Sequence, residues 1–324
     1  MSLGQAWVVA DESTPTVVVA ILANFGIAVA KGVAGALSGS AAMISESAHS
    51  LADTTNEAFL LVAVKRSEKP ADERHPFGYG RERYFWTLLA AVGIFVGGGV
   101  FSVMQGVNEL RGPGHESGHY KLTYSVLAIA FVLEGTSWLQ ARRQLRADAA
   151  SMERGFRRQL FDTSDPAVTT VFFEDTAALL GLAIAATGVG LHQATGNHLW
   201  DGLASIAIGV LLATVGITLG RENQHLLIGE AADPRLRSAV TQVLSSYDEV
   251  DAVDEVLTSV IGRGEVLVAA RIDLDDNLRA SQVEALARRM ESDITTAYPQ
   301  VKHVFLDVTA DATRPDPTAT TSKP

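Results

Sequence analysis

The sequence contains no cysteine. That excludes disulfides and every thiolate-based site, so copper(I) chemistry and Cys-held structural zinc are ruled out, and a metal would be bound only by His, Asp, Glu or water. Charge is scarce too: 19% of the 324 residues are Asp, Glu, Lys or Arg, where about 25% is usual for a soluble domain. The net charge of −11 argues against nucleic acid as a partner. No Walker loop and no G-x-G-x-x-G fingerprint occurs, so nucleotide-driven pumping has no support. Residues Met1 to Pro15 carry Asp11 and Glu12 but no Lys or Arg, unlike the positive start of a signal peptide. They read as a short cytoplasmic lead.

What fills the chain instead is apolar. Hydrophobic residues make up 47%, and the 28 glycines suit helices that approach closely in lipid. Six segments approach the ~20 residues that cross a bilayer as a helix: Thr16–Leu37, Ala41–Val64, Tyr84–Leu110, Leu122–Gln140, Ala167–Leu191 and Leu199–Leu219. The loops between them obey the positive-inside rule. The loop from Lys65 to Arg83 holds Lys65, Arg66, Lys69, Arg74, Arg81 and Arg83, and the loop after the fourth segment holds Arg142, Arg143, Arg146, Arg154, Arg157 and Arg158. The intervening loops carry only Arg111 and Lys121. This arrangement predicts an integral multi-pass membrane protein with both termini cytoplasmic.

The second segment is the impure one. It includes Ser45-Glu46-Ser47-Ala48-His49-Ser50-Leu51-Ala52-Asp53-Thr54-Thr55-Asn56. On a helix, residues three and four apart share a face, so Glu46, His49, Asp53 and Asn56 form one stripe. An ionisable residue at a membrane helix centre costs roughly 2.5–3.5 kcal/mol or more and usually marks an ion or proton path. An imidazole and a carboxylate at i,i+4 offer two ligands to a divalent transition metal. The same stripe would also serve a soluble core helix, or hydrogen bonds to a neighbouring helix. Glu174-Asp175 adds two acids to the fifth segment, and Glu109, Asn108 and Glu134 read as packing polar groups. His115, His119, His192 and His198 fall in outer loops.

Beyond Arg221 the pattern changes. Asp233 followed by Pro234 starts a helix that runs to Tyr247. Val256–Ile261 and Val266–Leu274 read as strands joined by Gly262-Arg263-Gly264, Ser281–Tyr298 as a second helix and Val301–Val308 as a closing strand. The order helix, strand, strand, helix, strand predicts a small α+β, ferredoxin-like αββαβ domain with helices on one face. The expected organisation is a lead over 1–15, a domain of six transmembrane helices over 16–221, the cytoplasmic α+β domain over 222–310 and a disordered tail over 311–324.

Six spans, this tail domain and His49-x-x-x-Asp53 on the second span together resemble the cation diffusion facilitator family, from about Asn24 to Val308. The stretch Glu68-Lys69-Pro70-Ala71-Asp72-Glu73-Arg74-His75-Pro76-Phe77-Gly78-Tyr79-Gly80 is similar to the family signature between spans two and three. Asn24, Lys31 and Gly209 stand where the family often has Asn, Lys and Gly. Glu174-Asp175 before Thr176-Ala177-Ala178 is similar to the zinc-transporter-nine branch. The resemblance implies a dimeric, proton-coupled exporter of divalent metal, not an enzyme and without a prosthetic group, in the plasma membrane of a prokaryote-like cell. Zn2+ is the expected substrate, with Mn2+ or Fe2+ as alternatives; the partners are the metal ion, protons, lipid and a second copy of the chain.

The implied ligands are His49 and Asp53 on span two and Asp175 on span five. The family's span-five histidine position is Val171, so one ligand is missing. Glu174 or Glu46 would supply it, and Glu174 serves equally as an ion-pair partner for Lys31. Asp72 and His75 match two positions of the family's loop site, whose third position is Tyr79; a capped turn explains them as well. In the tail, Arg271 and Asp307 stand at histidine positions and His303 reads as a surface residue, so the tail is expected to pair subunits. Two rival functions stay open: a non-transporting membrane scaffold or regulator, and a monovalent cation/proton exchanger.

Overall fold

The computed structural model describes residues 14–112, 119–151 and 166–309. His115, Arg154, Arg157, Arg158, the lead over 1–13 and the tail from 310 lie outside these residues. The described chain divides into two compact units, one within Met1–Ala63 and Trp86–Glu222, the other within Val64–Phe85 and Asn223–Pro324.

The first unit is built from long helices: α1 (Thr14–Ser38), α2 (Ala41–Ser67), α3 (Glu82–Arg111), α4 (Tyr120–Ser151), α5 (Pro166–Thr195) and α6 (Leu199–Ile228). Among the described residues, five of these are long and apolar enough to cross a membrane. The exception is α2, which has the length at 27 residues but carries the polar stripe. Leu22, Ile129, Val132 and Val210 are each more than half exposed, the outward apolar faces expected against lipid. Helices α4 and α6 outrun the apolar segments that predict them. Apolarity ends where lipid would end, whereas a helix continues until something breaks it; α6 stops at Gly229, whose φ of +114° closes a left-handed C-terminal cap.

Close backbone approach joins α3 to α6. A Cβ on Gly106 would stand 2.5 Å from the Gly202 carbonyl oxygen, and one on Gly209 would stand 2.7 Å from the Val103 nitrogen. One turn before these contacts α3 widens into a π-turn over Ile94–Val100, containing Gly97-Gly98-Gly99.

The start of α2 is capped from another helix. Asp201, in the first turn of α6 and 1% exposed, accepts hydrogen bonds from Ser40 Oγ at 2.7 Å, from Ala42 N at 3.4 Å and from Ala41 N. Its carboxylate thus satisfies the orphan amides and complements the positive end of the helix.

The second unit holds α7 (Pro234–Leu244), β1 (Val250–Gly262), β2 (Glu265–Leu274), α8 (Ala280–Ala297) and β3 (Val301–Thr309). The sheet order is β1-β2-β3, with β1 and β2 antiparallel and β2 and β3 parallel. This is the expected αββαβ order. Asp233 caps α7 by accepting from Arg235 N at 2.7 Å. Burial alternates along β2, and Val268, Ala270 and Ile272 on one face pack with Val240 and Leu244 of α7 and Met290 and Ile294 of α8. Strand β1 starts six residues before the expected Val256: register shifts at Val250/Ala252 and Val253/Glu255 break the alternation that would have marked it. The α2–α3 loop belongs to this unit too. Phe77 packs edge-on against His303, with ring centroids 5.3 Å apart, and Arg81 Nη2 donates to Ser259 Oγ at 3.0 Å. Phe77, Arg81 and Ser259 border a cavity of about 620 Å3.

Candidate metal centre

Two serines set the rotation of α2. Ser45 Oγ lies 2.6 Å from Ser205 Oγ on α6, and Ser47 Oγ donates to the Ala28 carbonyl of α1 at 2.8 Å. Glu46, between them, is therefore directed into the interior, and His49 and Asp53 follow on the same face. His49 is 3% exposed. Its Nε2 lies 3.3 Å from Asp53 Oδ2 and its Nδ1 3.7 Å from Glu46 Oε1. The Asp53 side chain is 34% exposed, so the stripe is closed around His49 and less enclosed at Asp53.

Acids from three helices act on Asp53. Asp53 is within electrostatic reach of Glu57 on its own helix, Glu134 on α4, and Glu174 and Asp175 on α5. Asn24 Nδ2 donates to Glu57 Oε1 at 2.6 Å, and Asn56 Nδ2 to Glu174 Oε1 at 3.1 Å. The Oδ2 of Asp175 is buried without a partner. Among the described residues no three His, Cys, Asp or Glu side chains are gathered closely enough to hold one metal ion. His49 and Asp53 meet, while Asp175 and Glu174 stand around them at longer range. Val171 lies in α5, but its side chain is outside the described residues.

One expected pairing is corrected. Lys31 does not reach Glu174 for its ion pair; its Nζ lies 3.1 Å from Glu46 Oε2 and donates to Ser50 Oγ at 2.7 Å. Glu174 takes Asn56 instead. Sequence reasoning passed over Glu57, although it continues the i,i+4 stripe from His49 through Asp53, and set Glu134 aside as packing.

The loop residues form a turn. Asp72 Oδ1 accepts from Arg74 N at 2.9 Å and His75 N at 2.7 Å, and its Oδ2 accepts from Tyr79 Oη at 2.7 Å. His75 Nδ1 is 3.3 Å from Asp72 Oδ1. The Tyr79 hydrogen bond first, then the backbone amides, hold the Asp72 carboxyl below its usual range. The same bond keeps the Tyr79 phenol protonated to higher pH than usual, which suits a donor rather than a ligand. In the tail, Arg271 Nε lies 3.0 Å from Asp307 Oδ2, an ion pair where the family resemblance places histidines.

Residues 17–228 match the Cation efflux transmembrane domain. The chain belongs to the cation efflux family. It is 36% identical over 259 residues to the mouse protein named "Proton-coupled zinc antiporter SLC30A9, mitochondrial", covering 80% of this chain and 46% of that one. It is 35% identical over 241 residues to Arabidopsis thaliana "Metal tolerance protein C4", covering 74% and 52%. Magnetospira "Magnetosome protein MamB" is 24% identical over 290 residues, covering 90% and 92%. The chain thus spans about half the length of the mouse and plant relatives and lies near the SLC30A9-like branch of the family.

Proposed function

We propose that this cation efflux protein is a proton-coupled antiporter that exports divalent metal, zinc first, with His49, Asp53 and Asp175 as the membrane ligands and Glu174 completing the set. The contact of His49 with Asp53 at 3.3 Å inside a long helix carries the reading, and the relative named a proton-coupled zinc antiporter supports it. An imidazole and carboxylates bind metal only when deprotonated, so loading releases protons and the return step reloads them. No nucleotide is needed. In this reading α2 is the sixth span, residues 16–221 form the membrane domain in a plasma membrane, and residues 222–310 form a cytoplasmic domain that pairs two copies.

A second substrate reading follows from the donor set. One imidazole among several carboxylates is rich in oxygen, which moves preference toward manganese or iron(II). The wide spacing of the acids around Asp53 favours the rival of a non-transporting scaffold, and their number favours a monovalent cation/proton exchanger. Uptake into proteoliposomes under an imposed pH gradient, across a panel of ions, decides among them. His49→Ala and Asp53→Ala are expected to abolish zinc-dependent proton flux while leaving the protein folded. Unaltered zinc, manganese and iron(II) transport by both variants would refute the site.

A further inference from the structure

A buried ion pair reaches one of the proposed ligands, His49. Lys31 is 1% exposed and Glu46 0% exposed. One carboxylate oxygen, Oε2, is held by the Lys31 ammonium, which is itself held by Ser50. The other, Oε1, is buried with no hydrogen bond, and so is His49 Nδ1, 3.7 Å away. Gly181 on α5 makes the space both atoms occupy: a Cβ there would stand 2.4 Å from Glu46 Oε1 and 3.4 Å from His49 Nδ1.

Buried polar atoms are nearly always paired, because an orphan keeps the full cost of leaving water. A small rotation of the imidazole closes the gap and satisfies both orphans at once. That bond requires the proton on Nδ1 and leaves the Nε2 lone pair directed toward Asp53. A metal-binding histidine commonly donates its second N–H to a carboxylate in this manner, which fixes the ring and its tautomer. Glu46 is poorly suited to bind metal itself. Turning it onto an ion would strip Lys31 of its counter-charge inside the protein, and an uncompensated buried charge is strongly destabilising.

We propose that Glu46 is a positioning residue: held by Lys31 and the Gly181 notch, it orients His49 so that Nε2 faces the cation, while Lys31 cancels its charge. The inference rests on the reading of His49 as a ligand. Asp53 and the α5 acids then supply the negative charge that sets cation affinity.

The test uses full-length protein in nanodiscs, with zinc binding by calorimetry and the His49 tautomer by 15N NMR of the metal-free protein at a pH high enough to leave the imidazole neutral. Glu46→Gln keeps an oxygen facing Nδ1 but leaves the Lys31 charge uncompensated; zinc affinity should fall roughly 10–100-fold, the range for groups that orient a ligand. Lys31→Met with Glu46→Gln should recover to within about threefold of wild type, because neither charge remains and the acceptor persists. Lys31→Met with Glu46→Leu removes the acceptor; affinity should fall again, with His49 distributed over both tautomers. If Lys31→Met with Glu46→Gln binds zinc no better than Glu46→Gln alone, Glu46 is a ligand and the proposal fails. It fails equally if the leucine double variant keeps a single Nδ1–H tautomer. Because that NMR readout needs no metal, it tests the positioning even if His49→Ala binds zinc normally, an outcome that would sink the ligand reading alone.

Discussion

Asp201→Ala should be among the most damaging single changes in the helical unit, although Asp201 stands at the far end of α2 from Asp53. The wild-type carboxylate accepts from Ser40 Oγ, Ala41 N and Ala42 N while 1% exposed. Truncation removes a helix cap, worth up to about 2 kcal/mol, and strands at least one buried amide, for about 1–3 kcal/mol more. The expected loss is therefore about 3–5 kcal/mol. At roughly 2–4 °C per kcal/mol for a unit of this size, the melting temperature should fall by about 6–20 °C. Asp201→Asn keeps one oxygen for the Ala41 amide and loses mainly the charge at the helix end, about 0.3–1 kcal/mol and at most about 2. Circular dichroism melts of both variants in nanodiscs, scored as the loss of helix signal, separate the two magnitudes. If Asp201→Ala melts within about 2 °C of wild type, or Asp201→Asn costs as much as Asp201→Ala, the capping argument is wrong.

Gly181→Ala places a methyl 2.4 Å from Glu46 Oε1, and overpacking typically costs about 1–3 kcal/mol. The displaced carboxylate should lower zinc affinity by about tenfold in a binding titration, and unchanged affinity would show that the notch is slack. The α2–α3 turn should depend on pH with a definite sign. Because hydrogen bonds depress the Asp72 carboxyl in the folded protein, its contribution is fully present above the unfolded value of about 3.9 and is lost as pH falls through the lower folded value. The amide proton shift of Arg74, which donates to Asp72, should therefore hold between about pH 5 and 8 and move only below about pH 4. Movement centred near neutrality would refute Asp72 as the controlling group.

The parts of the protein legible in the sequence are those governed by local period. The alternation of Val266, Val268, Ala270, Ile272 and Leu274 gives β2 and its buried face, and the i,i+4 spacing of His49 and Asp53 gives their contact. What escaped depends on partners distant along the chain. Lys31 is as close in composition to one buried acid as to another, and only the rotation of α2, fixed by Ser45 and Ser47, directs it to Glu46. The Asp201 cap joins groups separated by 160 residues. The π-turn of α3 leaves no periodic signal, since seven residues of Ile, Phe, Val and Gly are apolar on every face. Strand β1 hides its beginning behind register shifts among Asp251, Asp254 and Glu255.

The second unit draws on stretches that the ribosome makes far apart, residues 64–85 early and residues from 223 onward late, with residues 86–222 emerging in between. Phe77 and Gly80, which rest on the outer sheet face and on the Ile261–Gly262 backbone, thus have nothing to settle against during most of synthesis. A product truncated after α6 would leave that loop without the sheet it rests on, so its aromatic corner stays uncovered until the last strands are made.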